Sequence, residues 1–340
     1  MRPISSRLVT TARSRPIRAA TGAAPGPIED NATSRSRFST VRLVGISVLF
    51  CRVPLALLTY LTIHLADRAV VREVDARVRT TSVVSAVLVQ KQMQAVAELT
   101  ASYATRPVLV DALGDGDPRN FQNDAIVQQL AQLTASQPGL GGAFLADVSC
   151  RLTQVEPATP AIVGMDLSFR DWCRGVRATG RPYVSEAFQS ALVGQPLVVT
   201  AAVMVRATSR GQADRPLGIL GVIYPLDALR SFTDQLARAQ GIRLIITDQR
   251  GSVLVGTAGA MEAGGLMSAA SDPRIAAALR GNSGATRFTG AMGDTLSAYA
   301  PVDAIGWTVT AEVPAQEALS GVSDLRATVL SVAGGLALVL

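Results

Sequence analysis

Lysine is almost missing from this chain: Lys91 is the only one, and Arg supplies the rest of the positive charge. Histidine is as scarce, with a single His64 at the edge of an apolar run. One histidine excludes a histidine-based triad in the body of the chain and any multi-histidine metal site. There is no Cys-x-x-Cys pair, no Gly-x-Ser-x-Gly elbow and no Walker-type phosphate loop. No cofactor, no metal and no catalysis are expected from these 340 residues. Asp166 and Asp171 could pair as acid and base. Acids flanking an aromatic more often cap a helix or pair with a base. Aromatics are also few, 4% against 48% hydrophobic, so small aliphatics must build the core and any membrane span.

The net charge of +6 is confined to one end. Residues 1–42 carry eight Arg against Glu29 and Asp30, which accounts for all of it and leaves the rest neutral. A neutral body with a basic tail is not a nucleic-acid footprint. A basic tail before an apolar span is what holds that end in the cytoplasm. The tail is rich in Arg, Ser, Thr, Ala and Pro without apolar periodicity, so disorder is expected over 1–42. Residues 43–66 are apolar apart from Arg52, His64 and a few hydroxyls. At ~1.5 Å per residue they cover ~36 Å, enough for a transmembrane helix. Arg52 costs ~2.5–3.5 kcal/mol on insertion, which some twenty apolar neighbours offset. Pro54 is expected to kink the span.

Residues 67–106 read as one long helix, with apolar positions at Val71, Val74, Val78, Val84, Val87, Leu88, Ala95, Val96 and Leu99. It is either the stalk of a homodimer or the spine on which a domain packs. Residues 113–118 form a turn cluster, and 125–136 a short helix. Then the pattern changes to short strands. Residues 142–147 and 151–155 make one hairpin, followed by strands at 196–206 and 217–224 and a helix over 226–240. A second hairpin spans 242–255 around Asp248-Gln-Arg-Gly251, with a helix at 275–280 and strands at 286–288, 295–300 and 307–313. The order strand, turn, strand, helix, strands thus occurs twice, which predicts two α+β modules in tandem. Residues 324–340 are apolar and read as the start of a second transmembrane helix of a longer receptor. Cys150 and Cys173 fall in the part placed outside the membrane, where a disulfide is permitted. Their spacing does not prove pairing, and two unpaired small apolar residues are the simpler expectation.

One segment concentrates recognition chemistry. Arg170 offers a planar fork for a carboxylate, Asp171 adjoins it, and Trp172 supplies an apolar wall. Tyr183 adds a second ring, and Ser185 and Thr200 add hydroxyls. One cation, two aromatics and two hydroxyls suit a small organic anion. The alternative is that Arg170 pairs with Glu186 or Asp166 and that Trp172 is core.

The motifs Gly142-Ala-Phe-Leu-Ala-Asp147, Ser-Phe-Arg-Asp-Trp at 168–172, Gly-Arg-Pro-Tyr-Val-Ser-Glu at 180–186, Gly-Ile-Leu-Gly-Val-Ile at 218–223, Thr-Asp-Gln-Arg-Gly at 247–251, Ala-Tyr-Ala-Pro-Val at 298–302 and Gly-Trp-Thr-Val at 306–309 occur in order. Over residues 67–325 they resemble the double Cache (dCache) sensor domains of bacterial transmembrane receptors. The resemblance implies tandem PAS-like modules on a long N-terminal helix between two transmembrane helices. It implies a membrane-distal module at 107–240, a membrane-proximal module at 241–323, and ligand contacts at Arg170, Trp172 and Tyr183. It further implies signalling to an output after residue 340, a histidine kinase by family frequency, or a phosphatase, cyclase or chemoreceptor module. The amino-acid-binding subgroup has Tyr where Met165 and Cys173 stand and an acid where Ile223 stands. Nothing there pairs with an ammonium, which favours a carboxylate without one. Two rivals remain. A membrane-anchored hydrolase requires a catalytic constellation, and a membrane-anchored protein-interaction module predicts no small-molecule pocket.

Overall fold

The computed structural model describes residues 33–115, 124–208, 214–256, 266–290, 293–318, 327–332 and 334–335. The chain divides into two units, residues 1–58 with 333–340, and residues 59–332. Helix α1 (Thr33–Ala104) is continuous over 72 residues with Pro54 inside it. Residues 33–42, expected to be disordered, are helical. No proline interrupts 28–53, so the helix of the apolar run propagates back through them. Residues 1–32 lie outside the described residues. In the first unit Ile46, Phe50, Val53 and Leu57 of α1 are exposed. Among the described residues one helix, α1, is long and apolar enough to cross a membrane. The second expected span lies largely outside the described residues, with 327–332 helical.

In the second unit the buried face of α1 is Val78, Ser82, Ser85, Ala86, Val89, Met93, Val96, Ala97 and Thr100. These recur at helical spacing. The expected face was partly wrong: Val71, Val84, Val87, Leu88 and Ala95 are exposed. Small Ser82, Ser85 and Ala86 face inward instead, and Ser82 Oγ donates a hydrogen bond to the Arg79 carbonyl at 2.9 Å. Pro107 opens a short helix α2 (Pro107–Asp115), where its missing N–H costs nothing. The turn expected at 113–118 is therefore helical to Asp115, and its remainder lies outside the described residues.

Helix α3 (Asp124–Ala135) precedes the first sheet. Its strands are β1 (Gly142–Asp147), β2 (Leu152–Glu156), β3 (Tyr183–Val184), β4 (Phe188–Gln189), β5 (Leu197–Arg206) and β6 (Pro216–Pro225). They are ordered β2-β1-β6-β5-β3, with β4 also pairing β5, and every pair is antiparallel. Period-two alternation sends alternate residues to opposite faces. Ala143, Leu145, Val199, Ala201, Leu220 and Val222 join the core shared with α1, α2 and α3. Phe144, Ala146, Val198, Ala202, Ile219 and Ile223 face a second core under helix α4 (Asp171–Thr179).

Helix α5 (Leu226–Gln240) ends where Gly241 turns left-handed at φ +63°, as predicted. The second sheet has strands β7 (Arg243–Thr247), β8 (Val253–Val255), β9 (Gly284–Gly290), β10 (Gly293–Val302) and β11 (Trp307–Pro314) in the order β8-β7-β11-β10-β9. Helix α6 (Pro273–Leu279) packs on β10 and β11, and the short α7 (Ala315–Ala318) follows. Trp307 is fully buried among the second sheet's strands. The two sheets are separate, as the duplicated sequence pattern required.

Candidate functional site

Helix α4 lies across the face of the first sheet that carries Phe144, Val198, Ala202 and Ile223. Its inner residues Trp172, Cys173 and Val176 follow helical spacing and are fully buried. Trp172 packs against Phe144 at 4.9 Å between ring centres. Phe144 can lie there because its register partner across β1 and β6 is Gly221, where a Cβ would stand 2.3 Å from the ring. Cys173 is bonded to Cys150, the positive-φ residue of the β1–β2 turn. The expectation of unpaired cysteines is thus corrected. Both lie in the same small core, so the tertiary fold, not their spacing, brings them together.

Between α4, the sheet and the loop 190–195 is a cavity of about 40 Å³. Phe144, Trp172, Phe188, Leu192 and Ile223 form apolar walls, and Arg170, Ser190 and Thr200 bring polar groups. No Asp or Glu among the described residues lines it. Arg170 caps α4 and is half-buried. Its guanidinium donates to the Gln189 carbonyl at 3.2 Å and lies 4.4 Å from the Phe188 ring centre and 5.0 Å from that of Phe169. It pairs with neither Glu186 nor Asp166: Glu186 meets Arg250 at 3.2 Å, and Asp166 accepts from the Ser168 N–H at 2.9 Å. Burial draws the Arg170 pKa down with no carboxylate to oppose it. Thr200 points from β5 to the same side as Val198 and Ala202. Its hydroxyl is buried without a hydrogen-bond partner. The cavity therefore joins an unneutralised cation, an unsatisfied hydroxyl and apolar walls. The interaction-module alternative predicted no such pocket.

Three of the six expected site residues thus meet here, Arg170, Trp172 and Thr200. The others are placed elsewhere. Ser185 Oγ donates to the Glu186 carbonyl at 2.7 Å and accepts the Thr200 N–H at 2.9 Å, which ties the chain after β3 to β5. Tyr183 lies flat on Gly175 of α4 and donates to Asp171 Oδ1 at 3.2 Å. Burial, and then the Asp171 carboxylate, push the Tyr183 phenol above its ordinary pKa, so it stays a donor at neutral pH. Asp171 Oδ2 accepts the Glu186 N–H at 3.0 Å and Gln249 Nε2 at 3.4 Å.

Gln249 lies at the tip of the β7–β8 hairpin, so Tyr183 and Asp171 belong to a junction between the two sheets. The Gln249 amide also donates to the Val184 carbonyl at 3.3 Å and accepts the Trp307 indole N–H at 3.0 Å. The neighbouring Asp248 is fully buried and accepts the Ala187 N–H at 3.1 Å. This junction was invisible in the sequence, where Asp248-Gln-Arg-Gly251 reads only as a turn. The cavity residues Phe188, Ser190 and Leu192 were missed as well. They are ordinary apolar and turn residues that acquire a role only when the chain after β4 folds over α4.

The second sheet has a comparable helix-start arginine with a different fate. Arg274, in the first turn of α6, is held by Asp272 at 2.6 Å, by Glu312 and by Ser297 Oγ at 2.7 Å, over the Phe288 ring at 3.7 Å. This chain's own carboxylates neutralise it. Among the described residues no group of three or more His, Cys, Asp or Glu side chains is placed to hold a metal ion.

No protein-family model matches the chain, and no curated protein matches it. Solved structures do. The ligand-binding domain of the Pseudomonas fluorescens chemoreceptor CtaA, in complex with L-isoleucine, aligns with TM-score 0.56 at 17% identity over 74% of this chain and 97% of that one. That of the Pseudomonas aeruginosa amino acid chemoreceptor PctB, with L-arginine, aligns with TM-score 0.56 at 16% identity over 78% and 99%. A Campylobacter jejuni chemoreceptor domain with L-valine gives 0.51 at 14% identity over 75% and 96%. The fold is that of chemoreceptor ligand-binding domains of the double Cache type: two antiparallel sheets and a long N-terminal helix.

Proposed function

We propose that this chain is the sensory part of a membrane receptor, and that it binds a small organic anion outside the cytoplasm beside Arg170. The observation that carries the reading is the half-buried Arg170, without a carboxylate partner, at a cavity that also holds the unpartnered Thr200 hydroxyl. Arg170 binds the anion bidentately, and Trp172 and Phe188 flank its apolar part. The neighbours' ligands are amino acids, and a carboxylate is what they share with any ligand chosen by such an arginine. The chain itself performs no catalysis. Its signal serves an output module: a histidine kinase, phosphatase, cyclase or chemotaxis-type signalling domain.

The exposed Ile46, Phe50, Val53 and Leu57 face lipid in the first span, with the Arg-rich tail inside the cell. The exposed Val84, Val87 and Leu88 on α1 meet their counterparts in a homodimer. Anion binding at the start of α4 reaches the second sheet through Asp171, Gln249 and Trp307.

Single-cysteine labelling of intact cells in a Cys51→Ala background tests the topology. An impermeant thiol reagent is expected to label Ala158→Cys, which is exposed, and to spare Ser5→Cys. The reverse pattern overturns the extracytoplasmic assignment.

A further inference from the structure

We infer that the cavity beside Arg170 takes a short-chain monocarboxylate that bears no ammonium group and carries an oxygen on C2 for Thr200. The inference rests on the reading of that cavity as the sensory site and fixes its ligand class through charge, hydrogen bonding and volume.

Charge comes first. Among the described residues Arg170 is the only charged side chain lining the cavity. A carboxylate alone neutralises it. A zwitterionic amino acid would bring an ammonium as well, with no acid on any wall to receive it and a guanidinium close by. An unpaired buried charge is strongly disfavoured. A dicarboxylate fails for the mirror reason, because the described lining residues offer no second cation.

Hydrogen bonding selects the next group. The Ser190 hydroxyl already accepts the Leu192 N–H at 3.1 Å. The Thr200 hydroxyl is fully buried and makes no hydrogen bond. A buried hydroxyl without a partner is unfavourable, and a ligand oxygen restores it. A hydroxyl or keto oxygen on C2 sits one bond from the carboxylate and meets this requirement. A plain acyl chain does not.

Volume limits the chain. The cavity is small, about 40 Å³. That suits a carbon skeleton of about three or four atoms, with the carboxylate on Arg170. The walls around it, Phe144, Trp172, Leu192 and Ile223, call for a methyl or ethyl end.

Propionate, lactate and alanine share one skeleton and differ only at C2, so they separate these requirements. Binding to the full 340-residue chain in lipid nanodiscs is measured by calorimetry. Lactate is expected to bind tightest, propionate about ten-fold weaker, and alanine weaker than lactate by more than about ten-fold. Thr200→Val should erase the advantage of lactate over propionate, and Thr200→Ser, which keeps the hydroxyl, should retain it. Alanine binding as tightly as lactate overturns the ligand class while leaving the site, provided that Arg170→Ala still weakens binding. If Thr200→Val leaves the lactate preference intact, the role of the C2 oxygen is refuted. Binding of none of the three, or binding indifferent to Arg170→Ala, removes the site and the inference with it.

Discussion

Arg274→Met is expected to destabilise the folded chain by about 3–5 kcal/mol, the usual cost of removing one partner from a buried ion pair. Arg274 and Glu312 are each 5% exposed, and Asp272 completes the cluster. Methionine fills the stem of the arginine but leaves the Glu312 carboxylate buried and uncompensated. The measurement is urea unfolding of the full chain in detergent, with Arg274→Met/Glu312→Gln as the second variant. The double variant should recover part of the loss, because the more deeply buried Glu312 charge is removed and only the partly exposed Asp272 carboxylate is left. A loss below about 1 kcal/mol, the range of exposed pairs, would mean that the cluster is solvated. The cluster also sets an acid limit. Burial alone would raise the Asp272 carboxyl, but the hydrogen bonds and charge of Arg274 outweigh it and hold the pKa below the ordinary carboxylate value. A depressed acid stabilises the fold in full above its unfolded pKa of about 3.9. That contribution fades as the pH falls through the lower folded value, so stability should be insensitive to this group near neutrality.

Reduction of the Cys150–Cys173 bridge carries the second large effect. The two residues are 23 apart in sequence. Closing a loop of that size removes unfolded-state entropy worth about 3 kcal/mol. The Cys150→Ser/Cys173→Ser variant, or wild type under reductant, should lose about that much and melt several degrees lower. The bridge fastens α4 to the β1–β2 turn, so its loss should also loosen the helix that carries Trp172. A melting temperature indifferent to reductant contradicts this. The bond also fits the proposed placement of this unit outside the cytoplasm, where disulfides persist.

Most of the architecture was legible in the sequence because it is local. The alternation of apolar residues gives β1, β5 and β6, Gly241 stops α5, and the Asp248-Gln-Arg-Gly251 turn joins β7 to β8. The inward face of α1 was misread at Val84, Val87 and Leu88 because periodicity finds an apolar stripe but not what covers it. Ser82, Ser85 and Ala86 face the interior instead, and sequence hydropathy ranks them below the valines. At the site, Arg170, Trp172 and Thr200 were legible as chemistry, Thr200 on a strand, while helix α4 was not predicted. Tyr183 and Asp171 carry equally suggestive chemistry, yet they face Gln249. Only the docking of the second sheet's hairpin, a contact across 78 positions between Asp171 and Gln249, decides which way they turn. The disulfide was hidden for the same reason.

The measurement that bears most directly on the account is the affinity of Arg170→Ala and Arg170→Lys for the best-binding acid. It is made by calorimetry on the full chain in nanodiscs, alongside hydrogen exchange of wild type with and without that acid. Loss of a charged hydrogen-bond partner costs ~1.5–3 kcal/mol, so Arg170→Ala should bind roughly ten- to a hundred-fold more weakly while remaining folded. Arg170→Lys should also weaken binding, because an ammonium lacks the planar fork. In wild type the acid should slow exchange at the start of α4 and in the β7–β8 hairpin together, and in Arg170→Ala in neither. Unchanged affinity in Arg170→Ala, or an unfolded variant, would contradict the account and return Arg170 to a purely structural role.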